Sequence, residues 1–429
     1  MSKNICIIGL GYVGLTLSLA LAKKGYKVYG YDSNPEILNK LKNGESHIFE
    51  KDIDLYLKKY LNKNFFLIQK LNDKFITYIV TVGTPVKYNN YKKKYISDLS
   101  HVKNITIQLS NLIRKKSLII FRSTLPVGTT RKKIIPIFRK KNLKISKDYF
   151  ISYAPERTVE GNAINELETI PQIIAGYNKE CLLRTKKIFR KLSKQIIEVD
   201  TLETAEIIKL INNTYRDLSF AYSNQIGLIC QKYKISAKKT IEYSNYNYPR
   251  NKIPVPSPGV GGPCLTKDPY ILNEVLSSNK QSIFTIGREI NKKIVDVLAT
   301  NVIKNINNNK NKNILILGIS FKGKPLTKDA RGSSIFKFYK ILSKIRNFNI
   351  FVDDPLFSND EIRNFKFKIA NYQKKYDCII FLNNNPIIKK NSIKIIKNNL
   401  NKDGSIFDYW SIIKDKSYKK KFNYFEIGN

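Results

Sequence analysis

A single thiol, Cys264, lies in the segment Gly259-Val260-Gly261-Gly262-Pro263-Cys264-Leu265-Thr266-Lys267-Asp268-Pro269, with an ammonium and a carboxylate close behind it. A thiolate attacks carbonyl carbon readily, and a nearby cation favours the thiolate form. Glycines let backbone approach a ligand closely, and the apolar company of a core thiol is thin here. A buried cysteine in a tight turn is the other reading. With the dinucleotide fingerprint described next, the segment points to an enzyme that oxidises a carbon and holds the intermediate covalently.

Gly9-x-Gly11-x-x-Gly14, with Tyr12 and Val13 inside it, follows the strand-like run Asn4–Ile8 and opens a helix over 12–24. An acid, Asp32, ends the next strand. Such a turn brings a pyrophosphate to a helix N-terminus, while the acid accepts from the adenosine ribose and repels a 2′-phosphate, so NAD is expected rather than NADP. Thr81-Val82-Gly83-Thr84-Pro85 and Ser123-Thr124-Leu125-Pro126-Val127-Gly128-Thr129-Thr130 lie where strands end, the edge at which such sheets bind ligands. Helix capping would account equally well for any one of these hydroxyls. Ala154-Pro155-Glu156-Arg157-Thr158-Val159-Glu160-Gly161 brings two carboxylates and an arginine together, for a loop salt bridge or for orienting water and substrate. Lys209, Asn213 and Arg216 share one helix face, as a solvated stripe or as polar groups awaiting a ligand.

Strands alternating with helices must position these groups. Apolar runs at 4–8, 27–32, 76–82, 117–122 and 149–152 predict an α/β, doubly wound parallel sheet. The segment 86–96 reads as a polar loop. A long helix over 201–233 and another over 283–303 flank the Pro/Gly-rich passage 249–269. After an Asn/Lys-rich linker at 305–313, a second unit reads as strand 313–318, loop 319–331, helix from Ser333, and strands 349–352, 378–382 and 405–407. The expected plan is a Rossmann domain at 1–200, a central helical domain with one long helix and the cysteine loop at 201–304, and a Rossmann-like domain at 305–429.

The net charge of +42 raises nucleic acid as a partner, but Lys and Arg are strewn along the chain with no aromatic-interleaved motif. What survives is a positive field that attracts anionic substrates, so no nucleic-acid partner is expected. No apolar run is long enough to span a bilayer, and the first strand leaves no room for a signal peptide, so a cytoplasmic location without membrane insertion is expected. Five widely spaced cysteines, never in a C-x-x-C pair, disfavour disulfides and zinc, and no metal is expected. His47 and His101 are the only histidines and read as surface or loop residues, so proton transfer falls to Lys, Asp, Glu or water.

Taken in order, the fingerprint, Gly83-Thr84-Pro85, Ser123-Thr124-x-Pro126-x-Gly128-Thr129, Pro155-Glu156, Lys209-x-x-x-Asn213, Gly261-Gly262-x-Cys264 and the second α/β unit resemble the UDP-glucose/GDP-mannose dehydrogenase family over essentially the whole chain. The resemblance implies oxidation of a UDP-sugar C6 alcohol to a carboxylate with two NAD⁺. It implies Cys264 as nucleophile through a thiohemiacetal and a thioester, and Asp268 as the carboxylate that assists water. Lys209 and Asn213 match the groups that hold the oxyanion, and Thr124 with Glu156 the pair that positions a water. Glu160, Lys322 and the turn at Gly261 match substrate positions, and Arg331 an arginine that reaches the NAD pyrophosphate. The Glu156-Arg157-Thr158 loop, the segment 213–217 with Arg216, and Tyr248-Pro249-Arg250 look like the subgroup acting on UDP-N-acetylhexosamines, which feeds surface polysaccharide synthesis. Lys267 is closer to the UDP-glucose enzymes, and UDP-glucose is the alternative substrate. The second Rossmann-like unit would hold UDP, and the central helix would form a homodimer.

Overall fold

Short apolar runs alternating with helices build two parallel sheets in this chain. The computed structural model describes residues 4–91, 93–113, 116–276, 282–306 and 310–428. The chain divides into two units, Met1–Asn212 with Tyr270–Asn279, and Asn213–Pro269 with Lys280–Asn429.

The first unit contains β1 (Asn4–Ile8), β2 (Lys27–Tyr31), β3 (Phe65–Ile68), β4 (Thr77–Val80), β5 (Val86–Asn89), β6 (Lys94–Ser97), β7 (Ser117–Phe121), β8 (Tyr149–Tyr153), β9 (Gln172–Gly176) and β10 (Ile196–Glu198). Its main sheet has the order β10-β9-β8-β7-β4-β1-β2-β3. Pairing is parallel from β3 to β8, and towards the sheet edge β8 and β9 run antiparallel. Strands β4, β7 and β8 are buried at every residue, which is why they read as unbroken apolar runs rather than as alternating ones. The strand order reverses between β1 and β4. The carboxyl ends of these strands feed the fingerprint and the Thr81–Pro85 loop, at the place where doubly wound sheets receive ligands.

The segment read as a polar loop, 86–96, is corrected by the structure: β5 and β6 form an antiparallel hairpin. Its residues look solvated because both strands are half-exposed, and tertiary contacts supply what the sequence pattern lacks. The Tyr88 and Tyr95 rings meet edge-on at 5.2 Å, Tyr95 lies 4.2 Å from the Tyr270 ring, and the Ser97 amide donates to Glu274 at 2.5 Å.

In the second unit, β11 (Lys312–Leu317), β12 (Phe348–Asp353), β13 (Lys368–Ile369), β14 (Tyr376–Phe381), β15 (Leu400–Asp408) and β16 (Asn423–Phe425) form a parallel sheet of order β13-β12-β11-β14-β15-β16. The order matches that of β3-β2-β1-β4-β7-β8 in the first unit, so the two halves anticipated from sequence share one topology. The predicted linker at 305–313 lies partly outside the described residues.

The long helix spans Leu202–Tyr233, as its glycine-free sequence up to Gly227 predicts. Ile283–Asn305 forms the second long helix, opened by a capping box at Ser282 and Thr285. A short helix, Ala237–Asn245, capped by Ser236, was not anticipated. Among the described residues, no helix is long and apolar enough to cross a membrane.

Candidate active site

The helix Tyr12–Lys23 begins directly after the glycine turn. No side chain caps its N-terminus, and no acid lies in its first turn. Its first amides and the positive end of its dipole are therefore available to an anion. A Cβ on Gly14 would sit 1.8 Å from the Gly9 carbonyl oxygen, so only glycine lets the helix come this close to the turn. Asp32 accepts from the Leu10 amide at 2.7 Å and the Asn34 amide at 2.9 Å, which fixes its carboxylate beside the turn at the end of β2. These residues fit a dinucleotide with a free ribose hydroxyl. Thr84 donates to the Thr124 carbonyl at 2.7 Å, tying the two hydroxyl-rich loops together, and Thr124 is half-exposed between buried Ser123 and Leu125.

The loop after β8 is braced through its backbone. Glu156 Oε1 accepts from the Arg157 and Thr158 amides at 2.7 and 2.9 Å, and Glu166 accepts from the Val159 amide at 2.7 Å. Glu156 Oε2 accepts from Arg122 Nε at 3.0 Å and from its NH2 group at 2.5 Å. Burial pushes the Glu156 carboxyl up, but Arg122, the Thr158 amide and the Lys209 charge outweigh it and hold its pKa below the ordinary value. Both carboxylate oxygens are thus engaged, which anchors the loop to Arg122 and to its own backbone. Arg157 donates to the Pro171 carbonyl, and burial lowers its pKa. The Thr158 hydroxyl is buried without a hydrogen-bond partner, as expected of a group that awaits a ligand. Glu160 is half-buried at the far end of the loop.

On the long helix Lys209 and Asn213 are both buried, one turn apart, whereas Arg216 is exposed. The buried polar row continues to Asp217 instead. In the second unit, Asn213 Nδ2 donates to Asp268 Oδ2 at 2.6 Å and Lys267 Nζ pairs with Asp268 Oδ1 at 2.8 Å, with Asp268 fully buried. The amides of Lys267 and Asp268 donate to the Cys264 carbonyl, closing the turn that carries the thiol. Four of the five cysteines are buried, and burial pushes the Cys6, Cys181 and Cys378 thiols up; Cys264 is the half-exposed one.

Gly262 has φ +91°, and a Cβ on Gly261 would lie 2.5 Å from the Gly332 carbonyl oxygen. The cysteine turn therefore lies directly on the loop that follows β11, where the Phe321 ring covers Gly262 and Lys322 comes next in the chain. The Gly262 amide donates to the Arg331 carbonyl, while the Arg331 guanidinium is exposed and chelated by Asp329. Tyr248 and Arg250 pair with each other in an exposed segment, with Arg250 Nε donating to the Tyr248 hydroxyl at 2.9 Å.

Four supporting residues escaped the sequence reading. Arg122 is 1% exposed and holds Glu156. Glu206 accepts from the Gly128 and Thr130 amides and the Thr130 hydroxyl, fixing the loop that carries Thr124 to the long helix. Arg288 and Asn291 donate to Asp217, and Arg288 reaches the Val260 carbonyl at the head of the cysteine turn. Glu206 is three residues before Lys209 and Asp217 four after Asn213, so helical spacing was the one available signal. His47 lies in a loop with its ring nitrogens sealed from solvent, and burial lowers its pKa; His101 is exposed. Among the described residues, no group of three or more His, Cys, Asp or Glu side chains is placed to hold a metal ion.

Residues 3–193 match the NAD-binding domain of the UDP-glucose/GDP-mannose dehydrogenase family, and residues 203–293 match its central domain. A UDP-N-acetyl-D-mannosamine dehydrogenase of Methanococcus vannielii is 31% identical over 97% of this chain and 95% of its own length. The structure of a UDP-D-ManNAc dehydrogenase from Pyrococcus horikoshii superposes with a TM-score of 0.85 at 28% identity, covering 99% of both chains. That of a UDP-N-acetyl-mannosamine dehydrogenase from Staphylococcus aureus gives 0.84 at 27% identity over 99% of this chain and 98% of its own. With an uncapped helix behind a glycine turn, a braced Pro-Glu loop and a half-exposed thiol beside a buried amide–carboxylate pair, the chain belongs to the UDP-glucose/GDP-mannose dehydrogenase family and binds NAD.

Proposed function

We propose that this chain oxidises the C6 alcohol of UDP-N-acetylmannosamine to the uronate, in the cytoplasm, as a step towards surface polysaccharide. The observation that carries the reading is the half-exposed Cys264 in a turn whose Asp268 holds the Asn213 amide. The name shared by the relatives supports the sugar. NAD⁺, when bound at the Gly9–Gly14 turn, accepts hydride from C6 in each of two oxidations.

The remaining work belongs to side chains of this chain. Lys209 and Asn213 hold the C6 oxygen as its proton passes to a neighbouring water and the alcohol becomes an aldehyde. Asn213 keeps one amide hydrogen on Asp268 and has a second for that oxygen. The Cys264 thiolate then bonds to the aldehyde carbon, and the oxygen becomes the alkoxide of a thiohemiacetal. Loss of hydride leaves a thioester. Water positioned by Thr124 and Glu156 adds to it with Asp268 receiving a proton, the carbon–sulfur bond breaks, and Cys264 departs as thiolate. Arg157, Thr158 and Glu160 address the sugar from a loop shaped by Glu156, with Tyr248, Arg250, Arg216 and the Gly261 backbone as further substrate contacts. Lys322 and the unit at 305–429 take the UDP, and Arg331 the pyrophosphate of NAD.

A homodimer through the long helix completes the proposal. Ile211, Tyr215, Tyr222, Ile229 and Tyr233 are all exposed and fall within one narrow stripe of that helix at 3.6 residues per turn.

Incubation of purified protein with NAD⁺ and a panel of UDP-ManNAc, UDP-GlcNAc and UDP-glucose decides the matter. UDP-ManNAc should yield a uronate with two NADH per sugar. Turnover of UDP-glucose alone transfers the assignment to that sugar, and one NADH per sugar removes the covalent chemistry.

A further inference from the structure

Between the cofactor turn and the sugar loop of the first unit lies a carboxylate with no role so far. Glu50 is 6% exposed. Its Oε2 accepts from the Tyr12 hydroxyl and from the Gly161 amide at 2.8 Å, and its Oε1 accepts from the Ala163 amide at 2.9 Å. Tyr12 is the first residue of the helix that opens at the glycine turn. Gly161 ends the loop of Arg157, Thr158 and Glu160, with φ +90°. The Tyr12 oxygen itself accepts from the Gly161 amide at 3.0 Å. Glu156 and Glu166 brace the Arg157, Thr158 and Val159 amides of that loop, and Glu50 bonds in addition to the fingerprint helix.

We infer that Glu50 is a positioning residue that couples the two ligand sites. Through Tyr12 it transmits the seating of the dinucleotide on the first helical turn to the backbone of the sugar loop, so that each ligand orders the ground on which the other binds. The physical basis is a buried anion satisfied only when both elements are in register. A shift of either one strands a donor or an acceptor out of water, which a folded chain resists. A brace for the loop alone would need the Gly161 and Ala163 amides but not the phenol of Tyr12. The inference rests on the reading of 157–160 as the sugar loop.

The test uses the full-length protein and NADH, with no sugar present. Amide hydrogen exchange is followed in peptides covering 156–166, for the parent, Tyr12→Phe and Glu50→Gln. NADH should slow exchange of the loop amides in the parent by about tenfold, as expected when an opening equilibrium is closed by a ligand. Both variants should lose that response at NADH concentrations that saturate each of them by fluorescence. Tyr12→Phe keeps the ring and the carboxylate, so it carries the test if Glu50→Gln fails to fold. A loop indifferent to NADH in the parent overturns the coupling, as does equal protection in Tyr12→Phe. A parent whose loop responds to NADH but which leaves UDP-ManNAc untouched indicts the substrate assignment alone. With an accepted sugar and saturating NAD⁺, Tyr12→Phe should raise the KM for the sugar about tenfold, the signature of lost sugar binding.

Discussion

Cys264 differs from its four counterparts in exposure, and that difference makes it the thiol to which the proposed chemistry is assigned. Cys264→Ser keeps the turn but replaces a strong nucleophile with an alcohol. Uronate formation should fall by at least about a thousandfold while NAD⁺ affinity, measured by calorimetry, stays within about twofold of the parent. Uronate at the parental rate would sink the covalent route. Arg122 and Glu156 form a buried pair whose parts are costly to separate. Arg122→Met should destabilise the first unit by about 3–5 kcal/mol at neutral pH, because a buried carboxylate is left uncompensated. The pH dependence should also invert. In the parent the Glu156 pKa is depressed, so its contribution is complete above the ordinary carboxylate range and drains away as pH falls through the folded pKa. In the variant burial dominates and raises the pKa, so stability should partly recover on mild acidification. Urea midpoints between pH 4 and 8 read both slopes.

At the scale of elements, the long helix has two faces of different character. One buries Glu206, Lys209, Asn213 and Asp217; the other exposes the stripe of Ile211, Tyr215, Tyr222 and Ile229. A charge in the middle of an apolar contact is poorly tolerated, so Tyr222→Glu should turn a dimer into monomers in light scattering at micromolar concentration while the far-ultraviolet spectrum is unchanged. A parent that is monomeric at the same concentration overturns that face as the interface. The helix itself was legible because its apolar and polar residues keep helical spacing with no glycine before Gly227. The β-strands of both units were legible from their apolar runs, since strands buried on both faces have no need to alternate. The β5–β6 hairpin was not, because its contacts reach Tyr270 and Glu274, far along the chain. Glu50, Arg122 and Arg288 were hidden for the same reason: an isolated charge in a sequence carries no spacing, and the partners named for them stand 28 or more residues away.

For the molecule as a whole, the formal charge is +42. An anionic substrate should be drawn to it from a distance, and that attraction is screened by salt. The kcat/KM for the nucleotide sugar should fall about tenfold from low ionic strength to about 0.5 M NaCl, mostly through KM. A flat salt profile would mean that the charge is incidental to capture. The meeting of Gly261 with Gly332 has a last consequence. With no side chain to act as a cushion, the sulfur-bearing turn is keyed to the backbone beyond β11, from which Lys322 also departs. Whatever tilts that sheet should carry Cys264 and Lys322 together; if these are the proposed nucleophile and nucleotide handle, the span between them is set when the chain folds rather than when a ligand arrives.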